Sequence, residues 1–144
     1  MTKANVLIVD DEIPFVETMA KRLTKRDLTI STAFSGEKAL EALAATKEIE
    51  VVILDVKMPG IDGNETLKAI RENYPLVEVI MLTGHATAKS AIDGMKMGAF
   101  DYLMKPCDMD VLMTKVEKAA VKKRAHEEKI IKARLKEITG RKYY

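Results

Sequence analysis

Five polar residues each stand where a short apolar segment of the chain ends, namely Asp10, Asp11, Asp55, Thr83 and Lys105. Two carboxylates about 4 Å apart repel each other by roughly 1 to 4 kcal/mol in a surface cleft. A Mg²⁺ ion relieves this repulsion because it prefers oxygen ligands, commonly one or two carboxylates completed by water and phosphate oxygens. The three aspartates therefore indicate a magnesium site, provided that the fold brings them together.

A second role for Asp55 follows from the nucleophilicity of carboxylates, which can form an aspartyl phosphate. Such a transfer depends mainly on neutralising the charge of the phosphoryl group. Lys105 would supply a positive charge and Thr83 a hydroxyl donor. Taken singly, these residues have ordinary explanations, because Asp10 and Asp11 favour the amino terminus of a following helix and an aspartate after a strand is usually a turn residue. Their functional interpretation depends on a shared edge of the fold.

The chain alternates between β-type runs and segments with helical periodicity. Strands are predicted at 5–9, 28–33, 50–54, 77–82 and 99–104, and helices at 13–26, 36–46, 64–72, 87–97 and from Asp108 onward. Ser35 and Asp108 are expected to cap helix starts, and Gly98 a helix end. Five such pairs predict an α/β fold with a parallel sheet covered on both faces. The carboxyl ends of its strands share one edge, where the five polar residues would meet, and no comparable cluster is expected at the opposite edge.

The composition is typical of one soluble globular domain. The chain has 144 residues, of which 47% are hydrophobic and 32% charged, so it can bury a core and lies outside the range of disordered chains. No apolar run approaches the roughly 20 residues of a membrane-spanning helix, and the amino terminus lacks a signal-peptide pattern. The single cysteine, Cys107, cannot form an internal disulfide. We therefore expect a cytoplasmic protein that does not associate with a membrane.

Basic residues are concentrated near the carboxyl terminus. Residues 1–114 contain 13 Lys and Arg against 18 Asp and Glu, whereas residues 115–144 contain 11 against 4. A basic tail is compatible with nucleic acid or an acidic partner, but the solvated face of a long helix is the more ordinary explanation. The tail is too short for a helix-turn-helix unit and shows no zinc-ligand pattern. Direct DNA binding is therefore not expected.

The last helix is predicted to be unusually long. No proline or glycine occurs from Cys107 to Thr139, so one helix is expected over 108–138. We divide the chain into a domain at 1–121 and a basic helical extension at 122–144. The extension carries a second apolar stripe, formed by Ile130, Ile131, Leu135 and Ile138. Self-association or a partner protein is expected to bury that stripe.

Four segments in order resemble the motifs of the response regulator receiver domain of two-component signalling. They are VDDE at 9–12, LDVKMPGIDG at 54–63, LTGH at 82–85 and DYLMKP at 101–106. The resemblance extends over about residues 4 to 121. It implies a flavodoxin-like, doubly wound (βα)5 fold with strand order 2-1-3-4-5. In sheets of this order, ligands bind where the order reverses between strands one and three.

The resemblance also implies a phosphoacceptor site. Asp55 would accept a phosphoryl group from the phosphohistidine of a sensor histidine kinase or phosphotransfer protein. Asp10 and Asp11 would hold Mg²⁺ together with Asp55 and the backbone carbonyl of Lys57. Which of Asp10 and Asp11 binds the ion directly and which binds it through water is left open.

Further roles follow from the same resemblance. Thr83 and Lys105 would contact the phosphoryl oxygens, and Thr83 and Tyr102 would move when the protein is phosphorylated. The peptide bond between Lys105 and Pro106 would be cis. The readout surface would be the fourth helix, fifth strand and fifth helix, roughly 87–121, which would bind an output partner or form a homodimer.

The resemblance also implies that two positions, which vary within the family, tune the lifetime of the phosphorylated form. Lys57 lies two residues after Asp55, and His85 lies two residues after Thr83. A cation at position 57 would attract the phosphoryl group or impede the attacking water, which favours a longer-lived phosphorylated form. An aspartyl-phosphate phosphatase would need a second acid where Lys57 stands.

Three functional interpretations remain after these exclusions. The first is a response regulator that catalyses its own phosphorylation and dephosphorylation and is not otherwise an enzyme. The second is the receiver domain of a longer DNA-binding response regulator, with 122–144 as linker. The third, less favoured, is a pseudo-receiver that binds partners independently of phosphate. A flavodoxin-type enzyme would need a phosphate-binding loop after the first strand, where this chain is acidic.

Overall fold

Five strands and five helices alternate along the chain. The structure, a computed structural model, describes residues 4–84 and 87–142, with only the backbone described for 140–142. The strands are β1 (Asn5–Val9), β2 (Thr29–Ala33), β3 (Val51–Leu54), β4 (Glu78–Thr83) and β5 (Asp101–Met104). The helices are α1 (Ile13–Thr24), α2 (Gly36–Ala45), α3 (Gly63–Asn73), α4 (Ala88–Lys96) and α5 (Met109–Lys142).

The strands form one parallel sheet in the order β2-β1-β3-β4-β5. This order confirms the predicted doubly wound fold. Every residue of β3 and β4 is buried, as expected for central parallel strands that are covered on both faces. The edge strands β2 and β5 are less apolar and partly exposed.

Two hydrophobic clusters cover the two faces of the sheet. On one face, Leu23 of α1 packs in a cluster with Leu112 and Val116 of α5. On the other, Leu43 of α2 packs with Ile70 of α3. Each fully buried side chain of this size contributes about 1.5–3 kcal/mol to folding, so these four helices are firmly attached. α4 differs, because Gly94 is its only buried residue.

The predicted helix caps are present. Ser35 accepts a backbone hydrogen bond at the start of α2, and Asp108 accepts two at the start of α5. Gly98 ends α4 with a φ of +99°, and the next amide, of Ala99, donates to the Gly94 carbonyl at 3.0 Å. Because Ala99 completes this helix end, β5 begins two residues later than the sequence predicts.

α5 crosses the amino-terminal edge of the sheet and contacts two acidic residues there. It has 34 residues, which makes it about 51 Å long. Arg124 donates to the buried Glu50 at 2.6 and 2.8 Å, and Lys122 lies 3.6 Å from the buried Glu78. The sequence predicted no comparable cluster at this edge, and it did not predict these two ion pairs, which form because α5 is long enough to bring cations to carboxylates near the starts of β3 and β4.

The ion pairs of Lys122 and Arg124 attach the first turn of the predicted extension to the sheet. The proposed boundary between residues 121 and 122 stays a prediction. Of the predicted second stripe, Ile130 is partly buried, whereas Ile131, Leu135 and Ile138 have 52%, 58% and 63% of their surface in solvent. Within the described ranges, even this longest helix lacks the apolar length needed to cross a membrane.

Candidate functional site

Asp10 and Asp55 emerge side by side from two neighbouring strands. Val9 of β1 is paired with Leu54 of β3, and the Asp55 amide donates to the Val9 carbonyl at 3.0 Å. Only 2% of Asp10 and 4% of Asp55 is exposed. Asp11 is exposed, and each of the three aspartates offers an oxygen within 4.8 Å of the others. The sheet register therefore assembles the predicted acidic cluster.

The acidic cluster fits a hard divalent cation. Its three converging carboxylate oxygens are ligands of the kind that Mg²⁺ prefers, and two of the side chains are buried where their mutual repulsion is weakly screened. An open pocket of about 520 Å³ adjoins the cluster and is lined by Asp11, Asp62 and residues 56–59. This space can hold the water and phosphate oxygens that complete an octahedral shell.

β4 and β5 bring Thr83 and Lys105 to the same edge. The Lys105 amide donates to the Thr83 carbonyl at 2.9 Å, and the buried Thr83 hydroxyl bonds to Asp55. The Lys105 ammonium lies 2.5 Å from Asp10 Oδ2 and 4.0 Å from Asp55 Oδ2. The bond between Lys105 and Pro106 is cis, as the resemblance implies. All five polar residues singled out in the sequence therefore meet at one edge.

Electrostatics at this edge favour an added cation. Burial raises the pKa of Asp55, and the charge of Asp10 raises it further, while the Thr83 hydroxyl and Lys105 offset part of the effect. Burial alone would lower the pKa of Lys105, but Asp10, Asp55 and Glu12 outweigh burial and raise it. Lys105 is therefore held as a cation, and any further positive charge nearby would stabilise the ionised carboxylate of Asp55.

The loop after β3 is fixed by Gly63, the last residue of the motif at 54–63. A Cβ atom on Gly63 would lie 2.1 Å from the Asp55 carbonyl oxygen, so no other residue fits there without moving the loop. The Gly63 amide donates to the Val56 carbonyl at 2.7 Å, and the Val56 amide donates to Asp55 Oδ1 at 2.8 Å. The sequence signal was the small residue directly after Asp62, which caps α3.

The family model described as the response regulator receiver domain matches residues 6–117. The chain belongs to this family. The receiver domain is that of two-component response regulators, and its sheet has the flavodoxin-like order described above. The family assignment made from the four sequence motifs is confirmed.

Two curated relatives share this receiver domain. The chain is 38% identical over 119 residues to the DNA-binding transcriptional regulator NtrC of Escherichia coli strain K12, with 83% of this chain and 25% of the relative covered. It is 37% identical over 121 residues to the putative response regulator NtrX-like of Rickettsia felis, with the same coverage. The chain thus spans about a quarter of the length of these relatives.

Solved structures agree with the family assignment. The receiver domain protein from Clostridium thermocellum has a TM-score of 0.81 and 34% sequence identity, with 85% of this chain and 98% of that chain covered. The structure titled FixJ-N has a TM-score of 0.76 and 30% identity, with 83% and 95% covered. Both matches therefore extend over nearly the whole of the compared chain.

Two predicted residues of the receiver domain lie apart from the acidic cluster or outside the described ranges. The Tyr102 hydroxyl lies 2.8 Å from Ser90 Oγ, and its ring lies beside Gly94, whose added Cβ would be 3.2 Å from it. Tyr102 therefore connects β5 to α4 and does not contact the acids. His85 lies outside the described residues. Lys57 is exposed and lines the pocket next to Asp11.

Glu12 and Phe15 also contact Lys105, and the sequence predicted no role for either. The Lys105 ammonium lies 3.3 Å from Glu12 Oε1 and 4.0 Å from the centroid of the Phe15 ring. Glu12 stands at the start of α1, yet its side chain forms no capping hydrogen bond. The only sequence signal for these contacts was position, since both residues closely follow the aspartate pair.

Proposed function

We propose that this receiver domain is a phosphoacceptor and that Asp55 receives the phosphoryl group. The observation that carries the proposal is the placement of the buried Asp55 carboxylate 4.0 Å from the Lys105 ammonium, with Thr83 and two further acids around it. A carboxylate oxygen of Asp55 attacks the phosphorus of a phosphohistidine. The phosphorus–nitrogen bond breaks, and its electron pair returns to the histidine nitrogen of a sensor histidine kinase or phosphotransfer protein.

The same proposal includes a magnesium site with four ligands. The carboxylates of Asp10, Asp11 and Asp55, together with the carbonyl of Lys57, would hold Mg²⁺. When bound, the ion supplies the largest positive charge beside the phosphoryl oxygens. The close approach of the three acids supports this assignment.

The surrounding residues stabilise the transferred group by charge and hydrogen bonding. Lys105 neutralises the charge of one phosphoryl oxygen. The Thr83 hydroxyl exchanges its hydrogen bond with Asp55 for one to a second phosphoryl oxygen. Water later attacks the phosphorus, which releases inorganic phosphate and regenerates the Asp55 carboxylate. The protein therefore catalyses its own phosphorylation and dephosphorylation, and we propose no other enzymatic activity.

Movement of Thr83 and Lys105 would change the surface formed by α4, β5 and α5. Tyr102 supports this link because its hydroxyl contacts Ser90 of α4. α4 buries little of its surface, so a small free-energy change can displace it. Four large apolar side chains are exposed on this surface, namely Ile92, Met95, Met104 and Val111. We propose that this surface binds an output partner or a second copy in the phosphorylated state.

We propose that the carboxyl-terminal part of α5 also binds a partner or a second copy. Most of the stability of a helix in a protein comes from the packing of its apolar face, so the exposed apolar side chains here gain stability if another helix covers them. A second candidate function follows from the relatives, one of which is named a DNA-binding regulator and is matched by this chain over only 25% of its length. In that case α5 connects the receiver to further domains.

The deciding experiment is to incubate the protein with Mg²⁺ and acetyl phosphate and to measure its mass and its size in solution. We expect one added phosphoryl group on the wild type and none on Asp55→Asn. Asp110→Asn is the matched control, because Asp110 is exposed and pairs with Arg26, which is not part of the acidic cluster. Equal labelling of the wild type and Asp55→Asn, or labelling of neither, would overturn the proposal.

A further inference from the structure

The ammonium of Lys105 rests on the face of an aromatic ring. Its nitrogen lies 4.0 Å from the centroid of Phe15, well within the roughly 6 Å at which the ring quadrupole attracts a cation. The lysine side chain is only 13% exposed, so little water competes with this contact. The attraction is strongest for cations that have lost their water, as this one has.

The other contacts of this ammonium are carboxylates. Asp10 lies at 2.5 Å, Glu12 at 3.3 Å and Asp55 at 4.0 Å. Each of these acids competes for the charge that a phosphoryl group on Asp55 would need. The Phe15 ring differs because it attracts the ammonium without forming a hydrogen bond that must break when the phosphoryl oxygens arrive.

The position of the ring is set by the start of α1. The Glu12 amide donates to Asp10 Oδ1 at 3.0 Å, and Pro14 restricts the backbone in the first turn of the helix. The ring then packs against the hydrophobic cluster between the sheet and α5. The acidic pair and the ring are therefore part of one rigid segment.

We propose that Phe15 is a positioning residue, which holds the Lys105 ammonium by a cation–π contact within reach of the phosphoryl group on Asp55. This inference rests on the proposed function. A lysine side chain is flexible, and without the ring it gains conformations that point into solvent. The ring reduces that freedom while Lys105 exchanges carboxylate partners for phosphoryl oxygens.

The test is to weaken the ring quadrupole while keeping the shape of the ring. Phe15 is replaced in the full chain by 4-fluoro-, 3,5-difluoro- and 3,4,5-trifluorophenylalanine, and the rate of phosphorylation by acetyl phosphate with Mg²⁺ is measured. We expect the rate to fall with each fluorine, by about fivefold to tenfold in total. The midpoint of thermal unfolding is expected to change little, because the ring volume is nearly constant.

Phe100 supplies a matched control within the same chain. Lys122 lies 5.7 Å from the Phe100 ring centroid, at the opposite edge of the sheet from Asp55. The same fluorinated series at Phe100 is expected to leave the rate unchanged. The role of Phe15 would be overturned by a phosphorylation rate that does not change with the number of fluorine atoms at Phe15. It would also be overturned by an equal decrease of the rate at Phe15 and Phe100. If the wild type itself is not labelled, the proposed function fails instead.

Ordinary substitutions give a second readout. Phe15→Tyr retains an aromatic face and is expected to keep the wild-type rate, whereas Phe15→Leu is expected to lose it. In the wild type, we expect the ring current to move the side-chain methylene signals of Lys105 upfield in NMR spectra. Phe15→Leu should abolish that shift and Phe15→Tyr should keep it. A wild-type rate in Phe15→Leu, or the absence of an upfield shift in the wild type, would contradict the proposal.

Discussion

The Asp55 carboxylate and the Lys105 ammonium lie 4.0 Å apart, although β4 separates the strands that they follow. Lys105 also contacts Asp10, which follows β1. One lysine therefore connects residues carried by three different strands. Because burial and Asp10 both raise the pKa of Asp55, this lysine reduces the electrostatic penalty of keeping the acids together.

Removal of the positive charge of Lys105 should slow phosphorylation and strengthen magnesium binding. In Lys105→Met, we expect phosphorylation by acetyl phosphate to slow by about 100-fold or more, because a cation that stabilises the transferred group is lost. The affinity for Mg²⁺ should rise at least severalfold, because the lysine no longer repels the ion. Rates from intact-protein mass spectrometry and calorimetric Mg²⁺ titrations check both effects. Lys68→Met, on the exposed side of α3, should change neither.

Asp11 should matter for the metal and little for folding. It is exposed, so Asp11→Asn should unfold at the wild-type temperature in a chelating buffer. Mg²⁺ stabilises a folded protein that binds it, and this increase in unfolding temperature should be largely lost in the variant. Losing one carboxylate charge near 4 Å should weaken Mg²⁺ binding by about tenfold. An equal increase in unfolding temperature in both proteins would contradict a ligand role for Asp11.

The sequence was sufficient to predict the acidic edge because parallel strands end together. The apolar runs before Asp10, Asp55 and Lys105 defined three of these strands, and the pairing of Val9 with Leu54 brought the first two acids together. Side-chain contacts were less predictable. Phe15 and Lys105 are far apart in the sequence, and no local pattern indicates that a ring in α1 would lie beneath that ammonium.

The opposite edge of the sheet shows the same limitation. Glu50 and Arg124 are 74 positions apart, and apolar periodicity says nothing about where the polar face of a long helix will find partners. The local signals were reliable where the interaction itself is local. Ser35 and Gly98 were correctly assigned because caps depend on the backbone of one turn.

The Glu50 ion pair should make stability depend on pH. Burial alone would raise the pKa of Glu50, but hydrogen bonds from Arg124 and the Asn5 amide outweigh it, so the pKa lies below its usual value of 4.5. A lowered pKa means that the pair stabilises the fold fully above about pH 4.5 and loses this contribution as the pH falls through the folded-state value. Glu50→Gln should therefore differ most from the wild type near neutral pH.

The contribution of the Glu50 ion pair to stability is limited because 33% of the Arg124 side chain is exposed to solvent. We expect Glu50→Gln to lower the free energy of unfolding at pH 7 by about 1–2 kcal/mol, less than for a fully buried pair. Urea unfolding at several pH values measures it. Glu128→Gln, which removes a fully exposed pair with Lys132, is the control and should not alter stability measurably. A constant difference between Glu50→Gln and wild type down to pH 3 would contradict the linkage.

Lys57 should prolong the phosphorylated state. Its exposed ammonium lies beside the pocket next to Asp11, where it can attract the phosphoryl group and obstruct water. In Lys57→Ala, we expect decay of the phosphorylated protein to be about twofold to fivefold faster, consistent with an exposed charge interaction of up to ~1 kcal/mol. Decay is followed by intact mass after removal of acetyl phosphate. His85→Ala is measured in parallel, and rapid decay in the wild type that Lys57→Ala leaves unchanged would refute the idea.

The exposed stripe of α5 should determine association. Ile131, Leu135 and Ile138 are each more than half exposed, so joint replacement by serine removes apolar surface without opening the core. We expect the wild type to dimerise with increasing concentration, more strongly after treatment with Mg²⁺ and beryllofluoride, and the triple variant to remain monomeric. Light scattering with size-exclusion chromatography measures this. The control replaces the exposed Lys129 and Lys136 by serine, and a wild type that stays monomeric in both states would exclude self-association through α5.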